Sequence, residues 1–123
     1  MIAADTSSLR RFLEGKRGRD VDAVATGLSD RTLVVPPAVI TELLSDPLSA
    51  PVLHEHLLKV TFLPVTEGFW QRAGLLRQAI RRQGFKAALA DALIAQSCID
   101  HDVPLITYDR NFRHFAKAGL KLL

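Results

Sequence analysis

The sequence predicts an α/β fold in which a parallel sheet is covered on both faces by helices. Three observations carry this expectation. Short apolar stretches at Met1–Ala4, Thr32–Val35, Val60–Leu63 and Pro104–Thr107 read as strands, and each leads into a segment whose apolar residues recur at helical spacing. Two acids, Asp5 and Asp109, leave the carboxyl ends of the first and fourth of these strands, the edge where open parallel sheets bind ligands. No repeat, linker or low-complexity segment interrupts the 123 residues, so 1–123 is expected to fold as a single domain.

In chain order, the first strand stops at Asp5, and Asp5-Thr6-Ser7-Ser8 opens a helix with Leu9, Phe12 and Leu13 on one face and Gly15 as its stop. A basic loop, Lys16-Arg17-Gly18-Arg19, precedes Asp20, which is expected to cap a second helix with a stripe of Val21, Val24, Ala25 and Leu28. The second strand closes at Pro36-Pro37. Its second proline suits the first turn of a helix that carries Val39, Ile40, Leu43 and Leu44, with Glu42 as its one charge. After the turn Asp46–Pro51, Val52–Lys59 reads as a short helix. Its His54 and His56, two residues apart, point in different directions and cannot chelate one ion.

The third strand leads to a helix over Thr66–Gln83 with apolar Phe69, Ala73, Leu76 and Ile80, stopped by Gly84. Arg72, Arg77, Arg81 and Arg82 lie off that stripe, open to solvent or to nucleic acid. The helix around Asp91 follows and ends near His101-Asp102. The fourth strand then delivers Tyr108-Asp109 into another helix, and Gly119–Leu123 is expected as a final edge strand.

No apolar run approaches the ~20 residues that span a bilayer, and the amino terminus lacks the basic start and apolar stretch of a signal peptide, so a cytoplasmic protein without a membrane partner is expected. Cys98 is the only cysteine, which excludes an intrachain disulfide and a thiolate zinc site. The formal charge is +3, with basic clusters at Lys16–Arg19, at Arg77, Arg81 and Arg82, and at Arg110, Arg113 and Lys117, whereas several acids stand inside apolar segments. Acids within a basic shell suit a site that binds metal cations and receives a phosphate backbone.

Asp91 is the sharpest of these acids. The helical stripe through it carries Ala87, Ala88, Ile94, Ala95 and Cys98, none of which can pair with a carboxylate. Burying an ionised carboxylate costs several kcal/mol unless a cation or hydrogen-bond donors compensate. Glu42 and Asp91 belong to helices that could pack over the strand ends bearing Asp5 and Asp109. Four acids gathered there would demand a divalent cation between them. Oxygen ligands select magnesium or manganese over zinc. Such a site suits hydrolysis of a phosphodiester, because the metal lowers the pKa of a bound water and neutralises charge on the phosphorus oxygens.

Asp5-Thr6-Ser7 after the first strand, helical Thr41-Glu42-Leu43, the run Asp91-Ala-Leu-Ile-Ala95, and Leu105-Ile-Thr107-Tyr-Asp109-Arg-Asn-Phe112 resemble the successive motifs of PIN-domain ribonucleases, in order and across nearly the whole chain. The length is most similar to that of the toxin members, the VapC type. The resemblance implies a PIN-like three-layer α/β/α sandwich with a mostly parallel five-stranded sheet, and a magnesium- or manganese-dependent endoribonuclease that cleaves RNA by metal-activated water. It also implies a cognate antitoxin that inhibits by inserting a segment into the acidic site, and a homodimer. By motif, Asp5, Glu42, Asp91 and Asp109 would be catalytic, with Asp5, Asp91 and Asp109 on the metal. Thr6 or Ser7 would support Asp5 and Thr107 the last motif, and Arg81, Arg82 and Arg110 would guide the substrate. One departure stands out: family members often carry a further acid where this chain has Asn111, an amide that brings no charge, so one metal is the expected minimum.

Rival readings are weaker. A phosphatase using the aspartate after strand one wants another aspartate two residues on, where this chain has Ser7. A phosphoacceptor receiver wants an aspartate after the third strand, where it has Pro64-Val65-Thr66. A housekeeping RNA-processing nuclease and a non-catalytic binding module on the same fold are the remaining alternatives.

Overall fold

The computed structural model describes residues 1–123 and builds them around one parallel sheet. Its strands are β1 (Ile2–Ala4), β2 (Leu33–Val35), β3 (Thr61–Phe62) and β4 (Leu105–Ile106), in the order β3-β2-β1-β4. Ile2 stands opposite Leu33, Ala3 opposite Leu105, and Val34 opposite Thr61, all in parallel register. The central pair is apolar on both sides: Ala3, Ala4 and the whole of Leu33–Val35 are buried, as expected where helices cover both faces.

The helices are α1 (Thr6–Leu13), α2 (Arg19–Ser29), α3 (Pro37–Ser45), α4 (Pro51–Leu57), α5 (Phe69–Arg82), α6 (Leu89–Asp100) and α7 (Arg113–Ala116), the last preceded by a 3-10 turn over Arg110–Phe112. Helical structure begins within four residues of the carboxyl ends of β1, β2 and β4. The local chemistry explains this: Asp5 accepts the Ser8 amide as cap of α1, Pro37 opens α3, and Asp109 accepts the Asn111 amide as cap of the 3-10 turn. Three connections therefore turn sharply at one edge of the sheet and concentrate polar side chains there.

Several expectations are corrected. The final edge strand is reduced to one parallel bridge, Leu122 beside Leu105, so the sheet has four strands rather than five. Gly119 turns the chain with φ +112°, and the Leu120 amide bonds back to the Phe115 carbonyl at 3.2 Å, which leaves too few residues for a ladder. Helix α2 starts at Arg19 with Gly18 before it, so Asp20 is not its cap but an ion-pair partner of Arg11 at 2.9 Å. Its buried positions include Val24 and Gly27, whereas Ala25 and Leu28 are exposed. Gly27 packs on β1 and β2, where a Cβ would lie 3.2 Å from both Ile2 and Leu33.

Helix α5 begins at Phe69 rather than Thr66, because Gly68 takes a left-handed φ of +78°. Two of its arginines are not free for nucleic acid. Arg72 pairs with Asp100 at 2.7 Å, and Arg77 donates to the Ala87 carbonyl at 2.8 Å, tying α5 to α6. Leu13 and Leu44 also fall outside the core and are exposed. The core itself includes Leu9, Val24, Val39, Leu43, Ile80, Ile94, Leu105, Ile106, Phe112 and Phe115. Each such side chain contributes about 1.5–3 kcal/mol on burial.

Helix α6 is the expected helix around Asp91, ending at Asp100, but Ala87 and Ala88 precede its first residue and so are not part of the helical stripe through Asp91. It is buried on almost all sides, with Ala92, Ile94, Ala95, Gln96, Ser97 and Cys98 all inside, so it has no solvent face on which to place an acid at no cost. Ala88 precedes it and Asp91 falls in its first turn, where a negative charge meets the positive end of the helix dipole.

Candidate active site

Asp5, Glu42, Asp91 and Asp109 line one cavity of about 160 Å³, together with Thr6, Ser7, Arg10 and Ile94. They arrive from four places: the end of β1, the middle of α3, the first turn of α6 and the end of β4. None is in an ion pair. The chain's three salt bridges use Asp20, Asp100 and Asp102 instead.

Asp5 is the anchor and is 2% exposed. Its Oδ1 accepts from the Ser8 amide at 2.8 Å, the Ser8 hydroxyl at 2.9 Å and the Ser7 hydroxyl at 2.9 Å. Its Oδ2 accepts from the hydroxyls of Thr107 and Ser7. Burial raises its pKa, while the bonds from Thr107, Ser8 and Ser7 act in the opposite direction. The two hydroxyls also brace the neighbouring strand: the Asp109 amide donates to Thr107 Oγ1 at 2.9 Å, and the Tyr108 amide to Ser7 Oγ at 3.0 Å. One polar web therefore locks the ends of β1 and β4 together. Thr6 serves a different acid, donating to Glu42 Oε1.

Asp91 is the opposite case. It accepts no hydrogen bond from a side chain or backbone group, although it is only partly exposed. Its pKa is pushed up to about 6, first by burial and then by the charges of Asp109, Glu42 and Asp5. A group in that condition lacks a positive partner. Nearby Cys98 is inert: burial, helped by the Asp5 charge, pushes its thiol up to about 12.

The donor set consists of carboxylate oxygens with hydroxyls behind them, which suits a hard divalent cation and not zinc or copper. The mutual repulsion at Asp91 is what such a cation would relieve. No three of the carboxylates stand close enough to grip one ion at once. The donor chemistry fits such an ion, with Asp5, Glu42, Asp91 and Asp109 lining the one cavity.

The remaining predicted residues fall outside the cavity. Asn111 is exposed and contributes its backbone amide to Asp109 Oδ1 at 2.9 Å. Arg110 is exposed beside Asp109. Arg81 and Arg82 line a separate shallow depression with Arg77, Gln78 and Leu89. Leu89 also borders an apolar groove with Phe69 and Trp70 whose lining includes Glu42, so that groove adjoins the basic patch through Leu89 and the acids through Glu42. Two contributors were missed from the sequence. Ser8 was legible as the residue three beyond a capping acid, but nothing in the sequence indicated Arg10, the one cation lining the cavity.

A family model described as PIN domain matches residues 2–118. Among solved structures, the chain is similar to FitAcB from Neisseria gonorrhoeae, with a TM-score of 0.72 and 21% identity over 100% of this chain and 96% of that one. It is also similar to VapBC2 from Rickettsia felis bound to a promoter DNA fragment, with a TM-score of 0.74 and 19% identity over 100% and 98% of the two chains. DNA-bound VapBC from Salmonella typhimurium gives a TM-score of 0.70 and 15% identity over the same shares. At these identities the likeness is one of fold. Comparison with curated proteins gives no match.

Proposed function

This chain belongs to the PIN-domain family, and from that premise we propose that it is a magnesium- or manganese-dependent endoribonuclease, the toxin of a toxin–antitoxin pair. PIN domains are generally nucleases. The observation that carries the finer reading is the meeting of four carboxylates at one cavity with no cation paired to any of them.

In this reading Asp5, Asp91 and Asp109 hold the metal, and Glu42 acts directly or through water. When bound, the divalent ion supplies the positive charge that steadies the phosphodiester oxygens and acidifies water. The chain's own residues do the rest. Ser7, Ser8 and Thr107 fix the Asp5 carboxylate by donating to both of its oxygens, so that it does not rotate. Thr6 holds one oxygen of Glu42, donating to its Oε1. Asp91, with free lone pairs, accepts the proton of an approaching water or a share of the cation's charge. Arg10 and Arg110 meet the backbone near the acids, and Arg81 and Arg82 meet it farther along the surface that runs past Leu89. Asn111 leaves one ion as the minimum.

The partner and the setting belong to the same reading. Two of the similar folds are VapBC complexes, which supports a cognate antitoxin here. No helix is long and apolar enough to cross a membrane; action on cytoplasmic RNA as a homodimer is part of the same proposal. The test is cleavage of single-stranded RNA with and without chelator. Cleavage should require magnesium or manganese and vanish in Asp91→Asn. Cleavage that survives chelation, or that survives the substitution, overturns the assignment.

A further inference from the structure

The residue that follows Thr107 is Tyr108, and it is 62% exposed. An exposed ring at a strand end is ordinarily mobile, but this one is held at both ends. At its root, the Tyr108 amide donates to Ser7 Oγ at 3.0 Å, the same hydroxyl that donates to Asp5. Over its face lies the Arg11 guanidinium, with Cζ 3.8 Å from the ring centroid. Arg11 is itself clamped: its Nε donates to Asp20 Oδ2 at 2.9 Å and its Nη2 to the Arg17 carbonyl at 2.7 Å. Asp20 is buried, so the clamp is rooted in the body of the protein. The result is a flat ring, immobilised beside the acidic cavity, with one face covered by a fixed cation and the other face free.

We propose that Tyr108 is a stacking platform for the nucleobase next to the phosphodiester that is cut. The proposal rests on the nuclease reading above and deepens it. Ser7 and Arg11 are one turn apart on α1, about 6 Å. The Tyr108 backbone is joined to the Asp5 carboxylate through the one Ser7 hydroxyl, and its ring lies against Arg11, one turn farther along α1, which would put it in reach of a base whose phosphate lies among the acids. Arg10 and Arg110 flank that position with positive charge for the backbone. A base stacked on Tyr108 would complete a sandwich of guanidinium, phenol and base, in which the cation behind the ring prevents it from turning away. Every base has a π-face, so the platform holds a nucleotide without dictating its sequence.

The competing role is purely structural: Tyr108 and Arg11 would only tie the end of β4 to α1. Binding of a short single-stranded RNA to full-length Asp91→Asn, which on the nuclease reading should hold RNA without cutting it, separates the two. A set of the same RNA with one abasic nucleotide at each position in turn serves as probe. Tyr108→Ala is expected to weaken binding of the intact RNA about tenfold, whereas Tyr108→Phe and Tyr108→Trp keep it. At one abasic position the RNA itself should bind about tenfold more weakly, and there Tyr108→Ala should cost nothing further. The same loss at every abasic position, or no loss on intact RNA, overturns the platform and leaves the nuclease reading standing. Absence of both RNA binding and metal-dependent cleavage in the unsubstituted chain overturns the nuclease reading, and the platform with it. Thermal melting of Tyr108→Ala and Tyr108→Phe shows whether either loss comes from unfolding.

Discussion

Replacing Asp91 by Asn should make the metal-free protein more stable at neutral pH and leave it unchanged in acid. Asp91 titrates near the ordinary 3.8 in the unfolded chain and at about 6 in the folded one, chiefly through burial and then through the Asp109, Glu42 and Asp5 charges. The folded state therefore binds this proton more tightly than the unfolded state. Stability from this group is fully present below pH 3.8 and is lost as pH rises through 6. A rise of that size corresponds to at most about 3 kcal/mol at ~1.4 kcal/mol per pH unit, and partial exposure of the carboxylate reduces it to about 1–2 kcal/mol. Asn cannot ionise and so escapes the loss. In chelator, Asp91→Asn should melt about 3–8 °C above the parent at pH 7.5 and within ~1 °C of it at pH 4. A variant that melts lower than the parent at pH 7.5, or whose advantage is the same at both pH values, would refute the claim that the ionised Asp91 is strained by burial and by like charge.

Thr107→Val removes a donor to the buried Asp5 carboxylate and the acceptor of the Asp109 amide, so it should lower stability by about 1–3 kcal/mol in a denaturant melt and reduce RNA cleavage at least tenfold. Unchanged cleavage would remove Thr107 from the site. Gly18 holds φ +152° and a Cβ there would lie 2.8 Å from Asp20 Oδ1, so Gly18→Ala should cost about 1–2 kcal/mol and loosen the Arg11–Asp20 pair, read by thermal melting. In Asp91→Asn, replacing both Arg81 and Arg82 by Ala should weaken single-stranded RNA binding and reduce the slope of log affinity against log salt by about 1.4. An unaltered slope would place those arginines off the RNA path.

How much of this could be read beforehand differs by residue. Asp5 and Asp109 were visible because a short apolar strand ending in an acid fixes both the position and the edge of the sheet. Glu42 and Asp91 were visible because their neighbours are apolar, so an acid among them needs a reason. The cavity is where those two signals intersect. Pairings between helices were not visible. Arg11 finds Asp20 nine residues away and Arg72 finds Asp100 twenty-eight away, and a charge pattern along one helix contains neither, so Asp20 reads as a cap and Arg72 as a free cation. The last strand failed for a related reason: alternating leucines announce a strand, but whether they pair depends on how α7 releases the chain at Gly119. The allocation of hydroxyls, Ser7 to Asp5 and Thr6 to Glu42, follows from the direction in which α1 leaves its cap, which adjacent residues in a sequence do not reveal.

The account depends on the acids acting together on one cation, and a calorimetric titration with manganese tests that most directly. The unsubstituted chain should bind at least one ion, and Asp5→Asn, Asp91→Asn and Asp109→Asn should each weaken binding at least tenfold while remaining folded. Binding that is absent in the parent, or indifferent to Asp91→Asn, would contradict it.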